Sequence, residues 1–328
     1  MGSSESRATT PPPASRTQQR ARVPRPQNSA VPSSNNKAMQ QREILRETAR
    51  ETLAAVHSVQ SQLPSVDLGM STKYSFNSLR RLGPNQGVGL PQRTTIQVVN
   101  EDTLNAATKL SASARAHGSR PPIVVNFANA RTPGGGWLNG AVAQEEAICY
   151  RSSLAISLNP HHYPLAADEG IYSPSVLVLR GDMASGHQLL VPQTPLADLP
   201  LVSAVTISAI RQPAVRTFQL GRGAARLPAH QQVQRVFARD RDRSLTKAKM
   251  RLALRMAALH GHDMLVLGAF GCGVFGNPPD DVAHCWLEVL REHEFTGNRW
   301  REVWFAVFDP DNRGNFETFR QVLSGKKV

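Results

Sequence analysis

Leu45, Ala49, Thr52, Val56, Val59 and Leu63 recur at steps of three and four, the spacing of a single buried stripe on an amphipathic helix. The pattern predicts a helix from about Lys37 to Leu63 that Pro64 stops. Beyond a Gly/Pro-rich connection, Gly83 to Pro91, short β-branched runs alternate with helical patterns. Strands are expected at Thr94–Val99, Pro122–Phe127, Ser175–Leu179, Leu201–Ile207, Met264–Ala269 and Arg301–Phe308. Helices are expected at Asp102–Ala116, Ala143–Leu158, Leu245–His260 and Pro279–Leu290, with one more at the C-terminus. Strands alternating with helices imply an α/β sandwich with a largely parallel sheet, in which ligands gather beyond the carboxyl ends of the strands.

Residues 1–36 lack any such pattern. They are rich in Ser, Pro, Arg and Gln and include Pro11-Pro12-Pro13, so they cannot bury enough surface to offset chain entropy and are expected to be disordered. The opening Met1-Gly2-Ser3-Ser4-Glu5-Ser6 fits an N-myristoylation pattern, and the Arg/Ser-rich, acid-poor tail also resembles a mitochondrial presequence. No apolar run is long enough to span a membrane. Cys149, Cys272 and Cys285 have neither disulfide-framework nor metal-finger spacing, which points to an intracellular setting.

The chain has 328 residues and a formal net charge of +13, a value that as a single number nominates a nucleic-acid binder. Its distribution is narrower. Residues 1–36 carry five Arg and one Glu, and residues 211–251 carry eleven Lys/Arg and two Asp, leaving 22 basic and 22 acidic residues elsewhere. Phe218 and Phe237 are the only aromatics in the second segment, too sparse for a stacking platform, so direct nucleic-acid binding is not expected.

Two loops carry candidate chemistry. The strand ending at Phe127 runs into Ala128-Asn129-Ala130-Arg131-Thr132-Pro133-Gly134-Gly135-Gly136, and seven residues later come Gln144-Glu145-Glu146 at the start of an apolar helix. Taken alone, the two acids read as first-turn residues on a solvated surface, near the positive end of a helix dipole. The triple glycine off a buried strand is hard to motivate structurally unless backbone must approach a ligand closely. The two carboxylates diverge by about 100° around the axis and cannot share one task. The second loop, Gly268 to Pro279, holds a literal G-x-G-x-x-G at Gly271, Gly273 and Gly276 between a strand and a helix. Its late position, with no ribose-binding acid about twenty residues on, argues against a dinucleotide fold. Its amides can still surround a diphosphate. Phe275 there is either a packing anchor or a platform for a sugar or base.

At these loops the chain resembles the bacterial- and fungal-type poly(ADP-ribose) glycohydrolases, relatives of the macrodomains. The shared features are the triple glycine followed by Gln-Glu-Glu, and a diphosphate loop of the form Gly-Ala-aromatic-Gly-Cys-Gly-Val-Phe, here Gly268 to Phe275. Val98–Leu110, Asn126-Phe127-Ala128, Tyr172-Ser173-Pro174 and Val303–Val307 add to the similarity, which covers roughly residues 40–325.

The resemblance implies a macrodomain-like three-layer α/β/α sandwich with a mixed, largely parallel sheet and an added N-terminal helix, with residues 37–328 as one catalytic domain acting as a monomer. It implies cleavage of ribose–ribose O-glycosidic bonds in poly(ADP-ribose) or on ADP-ribosylated proteins, with ADP-ribose as product and no cofactor or metal. By that resemblance Glu146 is the general acid/base, and Glu145 holds ribose hydroxyls. Asn129, Gly134, Gly135 and Gly136 bracket the distal ribose, Gln144 belongs to the substrate-binding set, and Gly271, Cys272, Gly273, Val274, Phe275 and Gly276 hold the diphosphate. Glu101 and Asp102 can reach the adenine amino group, though an N-cap explains Asp102 equally well. Removal of mono-ADP-ribose from proteins and non-catalytic ADP-ribose reading are the alternatives. Residues 181–243 depart from the family as a divergent basic insertion, and so does Leu158-Asn159-Pro160-His161-His162-Tyr163. Adjacent histidines lack metal-site spacing and read as surface residues. The Arg-rich flanking segments can attract a polymer of diphosphates by salt-sensitive electrostatics.

Overall fold

The computed structural model describes residues 1–2, 34–83, 92–220 and 233–328. The tail read as disordered, most of the Gly/Pro connection and the centre of the segment read as a basic insertion fall almost wholly outside these residues.

Nine strands are described: β1 Thr72–Ser75, β2 Ile96–Val99, β3 Ile123–Phe127, β4 Glu169–Leu177, β5 Leu201–Ile207, β6 Val215–Gln219, β7 Val233–Phe237, β8 Met264–Leu267 and β9 Glu302–Ala306. Seven form one sheet in the order β1-β4-β5-β3-β8-β9-β2. The pairs from β5 to β2 are parallel, while β4 runs antiparallel to both β5 and β1. β6 and β7 pair antiparallel as a separate hairpin.

The helices are α1 Ser34–Gln62, α2 Thr103–Ala116, α3 Gln144–Arg151, α4 Leu154–Ser157, α5 Asp240–Leu259, α6 Pro279–Leu290 and α7 Asn315–Leu323. Alternation along β3 shows why the sheet is sandwiched. Ile123 and Val125 join a core built with α5, α6 and α7, whereas Val124 joins one built with α1, α2 and α3. Such alternating apolar strands need helices over both faces. The result is the expected three-layer sandwich with a mixed, mostly parallel sheet and a long N-terminal helix. No described helix is long and apolar enough to cross a membrane.

β1 was not among the expected strands, and four further details differ. The N-terminal helix begins at Ser34. The helix expected over 143–158 breaks at Ser152-Ser153, where Ser152 is extended. There Ser152 Oγ donates back to Ile148 O of α3 (2.7 Å), while Ser153 Oγ accepts from Leu177 N (2.9 Å) and Ser153 N donates to Leu177 O (3.0 Å), so Ser153 trades helical bonds for bonds to β4. β4 starts six residues before the expected strand and shifts register between Ser173 and Val176, around Pro174, which has no amide proton to give the ladder. Within the segment read as divergent, β5 joins the main sheet as expected, and Val215–Gln219 and Val233–Phe237 form the β6–β7 hairpin, which the hydrophobic pattern did not predict.

Candidate active site

β3 is central in the sheet, and all of it but Phe127 is buried. Its carboxyl end therefore delivers a loop from the interior to the surface, and that loop returns through the 3-10 turn Trp137–Asn139 into α3. The N-terminus of α3 is tied back to β3 by Gln144. Its Oε1 accepts from Phe127 N (2.8 Å), and its Nε2 donates to Val125 O (2.8 Å) and to Thr103 Oγ1 (3.2 Å). Gln144 is thus occupied with backbone, which fixes where the next two residues point.

Glu145 turns toward the strand end, where its Oε2 accepts from Asn129 N (2.7 Å) and its Oε1 from Asn126 Nδ2 (3.4 Å). Glu146 turns toward the glycine loop, where its Oε1 accepts from Gly136 N (2.9 Å). The divergence expected from helix geometry is realised, and both side chains are buried, at 3% and 9% exposure, rather than solvated. Burial, reinforced by the neighbouring Glu146 carboxylate, lifts the Glu145 pKa from its ordinary 4.5 to about 8, against the opposing hydrogen bonds from Asn129 and Asn126.

Gly135 lies between the two acids. Its φ is +60°, and a Cβ there would fall inside 3.0 Å of Glu146 Oε1 and 3.1 Å from Glu145 Oε2. Gly134 and Gly136 complete the close approach, and Asn129 Oδ1 shapes the loop by accepting from Arg131 N (2.8 Å) and Thr132 N (3.2 Å). The Tyr150 hydroxyl, one turn beyond Glu146, donates to Trp137 O (2.7 Å) and lies 3.0 Å from Ala141 O, closing the loop from below. Sequence reasoning missed Tyr150, whose i+4 spacing from Glu146 was the available signal.

The second loop leaves β8, the neighbour of β3 in the sheet. Phe270 and Phe127 bridge the two loops with ring centroids 5.6 Å apart. The inner half is packed tightly. Gly271, at φ +73°, could not carry a Cβ, which would meet Ala209 Cβ and Asn277 Nδ2 at 2.5 Å. Asn277 Nδ2 also donates to Ile210 O (2.7 Å) and Gly271 O (3.1 Å). The outer rim is open: the amides of Gly273, Val274 and Phe275 reach no protein acceptor among the described residues, and Val274 is 78% exposed. Gly276 N donates to Gly273 O (3.0 Å). Cys272 is buried and its thiol pKa is raised by that burial. Phe275 is half-buried against the core, and its carbonyl accepts from Gln212 N (2.8 Å), as a packing anchor would.

At the ends of β2 and β9, Asp102 is the N-cap of α2 and also pairs with the buried Arg151. Glu101 pairs with Lys109 through one oxygen, while its Oε2 is buried with no partner. Phe308, just past β9, is 60% exposed and was not singled out by the sequence reading, where it closed an ordinary apolar run. His161 and His162 lie in a short 3-10 turn. No group of three His, Cys, Asp or Glu able to hold a metal occurs among the described residues. The site thus combines two buried, diverging acids, a glycine backbone pressed against them and a rim of free amides on the adjoining loop.

The family model of the microbial-type PARG catalytic domain matches residues 46–181, which include the triple glycine and both acids. No curated protein matches the chain. Among solved structures, poly(ADP-ribose) glycohydrolase from Thermomonospora curvata is 28% identical, covering 86% of this chain and 100% of its own, with a TM-score of 0.65. The same enzyme bound to the inhibitor ADP-HPD gives 28% identity, 85% and 99% coverage and a TM-score of 0.63. A mutant poly(ADP-ribose) glycohydrolase from Deinococcus radiodurans in complex with ADP-ribose is 30% identical, covering 77% of this chain and 94% of its own, with a TM-score of 0.57. These likenesses extend well past residue 181 to the sheet as a whole, and with the paired loops on its carboxyl edge the chain belongs to the microbial-type poly(ADP-ribose) glycohydrolases.

Proposed function

We propose that residues 37–328 form a catalytic unit that hydrolyses the ribose–ribose O-glycosidic bond of poly(ADP-ribose), with Glu146 as general acid and base. The observation that carries this reading is the pair of buried acids flanking Gly135, next to a loop whose outer amides are free. Glu146 gives its proton to the leaving ribose oxygen as the bond to the anomeric carbon breaks. The resulting carboxylate takes a proton from water, whose oxygen bonds to the oxocarbenium-like carbon, so one water is consumed and one ADP-ribose released.

Glu145 holds ribose hydroxyls, and its raised pKa lets it donate as well as accept near neutral pH. Asn129 and Gly134 to Gly136 line the ribose, while Gln144 sets the start of α3. Gly271 to Gly276 hold the diphosphate through the free amides of Gly273, Val274 and Phe275. The exposed ring of Phe308 offers an adenine platform, with Glu101 Oε2 as acceptor for its amino group.

The test is product analysis on poly(ADP-ribose), and on mono-ADP-ribosylated protein in parallel, with wild type and Glu146→Gln. Expected are ADP-ribose from polymer with wild type, a loss of about 10²–10⁴ in rate with the variant, and retained ADP-ribose binding. A variant as active as wild type would remove Glu146 from the role, and cleavage of mono-modified protein alone would replace the polymer as substrate.

A further inference from the structure

Residues 211–251 contain eleven basic side chains, of which Arg222 and Arg226 lie outside the described residues; the structure sorts the other nine. Arg243, Lys247 and Arg251, on α5, are matched by Asp281, Glu288 and Glu292 of the α6 region across the helix interface. Lys249 is buried with Nζ on Ala167 O (2.5 Å), and Arg241 pairs loosely with Asp242 at 3.8 Å. Arg211, Arg216, Arg235 and Arg239 are exposed and have no carboxylate partner among the described residues. The Arg216 guanidinium donates only to a backbone carbonyl, Ala238 O (2.9 Å).

All four unpaired arginines sit on the β6–β7 hairpin or at its base, and the hairpin is joined to the diphosphate loop. Gln212, next to Arg211, donates its amide to Phe275 O (2.8 Å) from a left-handed conformation at φ +50°, which a side chain rarely adopts without being held there. Asn277 of the diphosphate loop donates to Ile210 O in the same connection (2.7 Å). The Arg235 charge is near enough to act on the Cys272 thiol. Its backbone N–H is held by Asp280 Oδ2 (3.2 Å) at the start of α6. Phe218 on β6 is exposed, an aromatic face beside these cations.

We infer that this hairpin is a rail for the polymer. Arg211, Arg216, Arg235 and Arg239 hold the diphosphates of the poly(ADP-ribose) chain beyond the unit that occupies the glycine loops. The strand order supports the direction: the hairpin continues from β5, on the opposite side of β3 and β8 from Phe308 and Glu101. A unit with its adenine toward β2 presents its glycosidic bond, and the chain attached there, toward β5. This rests on the polymer being the substrate, as proposed above.

The experiment measures anisotropy of a fluorescent long poly(ADP-ribose) chain as a function of salt. It uses the full chain and the fourfold Arg→Gln variant at 211, 216, 235 and 239, with thermal melting to check folding and the fourfold Arg→Lys variant as rescue. A single-stranded DNA of equal charge is titrated alongside. Expected with Gln are at least tenfold weaker capture at low salt and a flatter log–log salt dependence, by about 0.7 per lost phosphate contact, with recovery by Lys. Unchanged polymer affinity and slope would overturn the inference. So would loss of DNA binding with polymer capture intact, which would make nucleic acid the partner. Because binding is read without turnover, an inert enzyme would count against the proposed reaction while leaving the rail tested.

Discussion

Gly135→Ala places the sharpest demand on the geometry. The new methyl group would lie inside 3.0 Å of Glu146 Oε1 and at 3.1 Å from Glu145 Oε2, on a residue whose φ is +60°. A left-handed non-glycine residue costs about 1–2 kcal/mol, so the melting temperature should fall by a few degrees. The larger effect is local, because the carboxyl of Glu146 must retreat by about 1 Å to restore normal contact. It would then lose its bond from Gly136 N, now 2.9 Å. A displacement of that size in a reacting group costs about 10²-fold in rate. Initial rates of ADP-ribose release should therefore drop about a hundredfold in kcat, far beyond the small change in stability. Gly273→Ala is the contrast on the other loop, since its Cβ meets nothing within 4 Å and its φ is not positive. Its melting temperature should hold or rise slightly, by the equivalent of about 0.4–1 kcal/mol. A Gly135→Ala enzyme with kcat within twofold of wild type would refute the reading that Glu146 acts from this position.

Glu145 keeps its proton in the folded state to about pH 8, whereas the unfolded chain releases it near 4.5. The folded state binds more protons through that window, so stability declines as pH rises from about 4.5 to 8. Glu145→Gln should flatten the decline and add on the order of a few kcal/mol at pH 8, read by urea unfolding at pH 5 and pH 8; parallel pH profiles would exclude the buried acid as its source. Tyr150→Phe strips the donor from Trp137 O and Ala141 O; it should cost about 1–3 kcal/mol and lower kcat more than it raises KM, and an effect on KM alone would argue against a role in loop placement. Asp102→Ala removes the α2 cap and leaves Arg151, nearly buried, without its carboxylate; a loss of about 3–5 kcal/mol in urea unfolding is expected, and a loss below 1 kcal/mol would mean Asn105 suffices for Arg151.

The central strands were legible because they are short, largely apolar runs, as in Ile123–Phe127 and Met264–Leu267, and parallel strands buried on both faces have to read that way. β1, Thr72–Ser75, was not legible, since an edge strand of polar and half-buried residues carries no hydrophobic period. The hairpin escaped for the same reason, with Arg216, Thr217, Phe218 and Gln219 all exposed. The break in the 143–158 helix turned on Ser153 finding partners at Leu177 of β4, a tertiary choice that local propensity does not encode. Within the site, Glu145 and Glu146 could be found from their spacing and their glycine loop. Their burial could not, because first-turn acids are ordinarily solvated. Phe308 and Tyr150 were hidden in patterns that packing explains equally well, and only exposure in one case and two carbonyls in the other set them apart.

Charge links the two halves of the site. A diphosphate entering a cleft that already holds two adjacent acids meets repulsion strengthened by the low local dielectric. Among the described residues no ion pair is placed on either acid: Glu145 and Glu146 take their hydrogen bonds from Asn126 and from backbone amides. Instead, burial keeps the proton on Glu145 up to about pH 8, which takes its negative charge out of the cleft at neutral pH. The amides of Gly273, Val274 and Phe275 supply positive dipoles fixed in place beforehand. Amides hold an anion without competing for the acid's proton, as a lysine or arginine beside Glu146 would do by favouring its carboxylate. The full cations of Arg211, Arg216, Arg235 and Arg239 are kept outside, on the hairpin, where the proposed capture of a long polyanion would not favour the carboxylate of Glu146, the proposed acid.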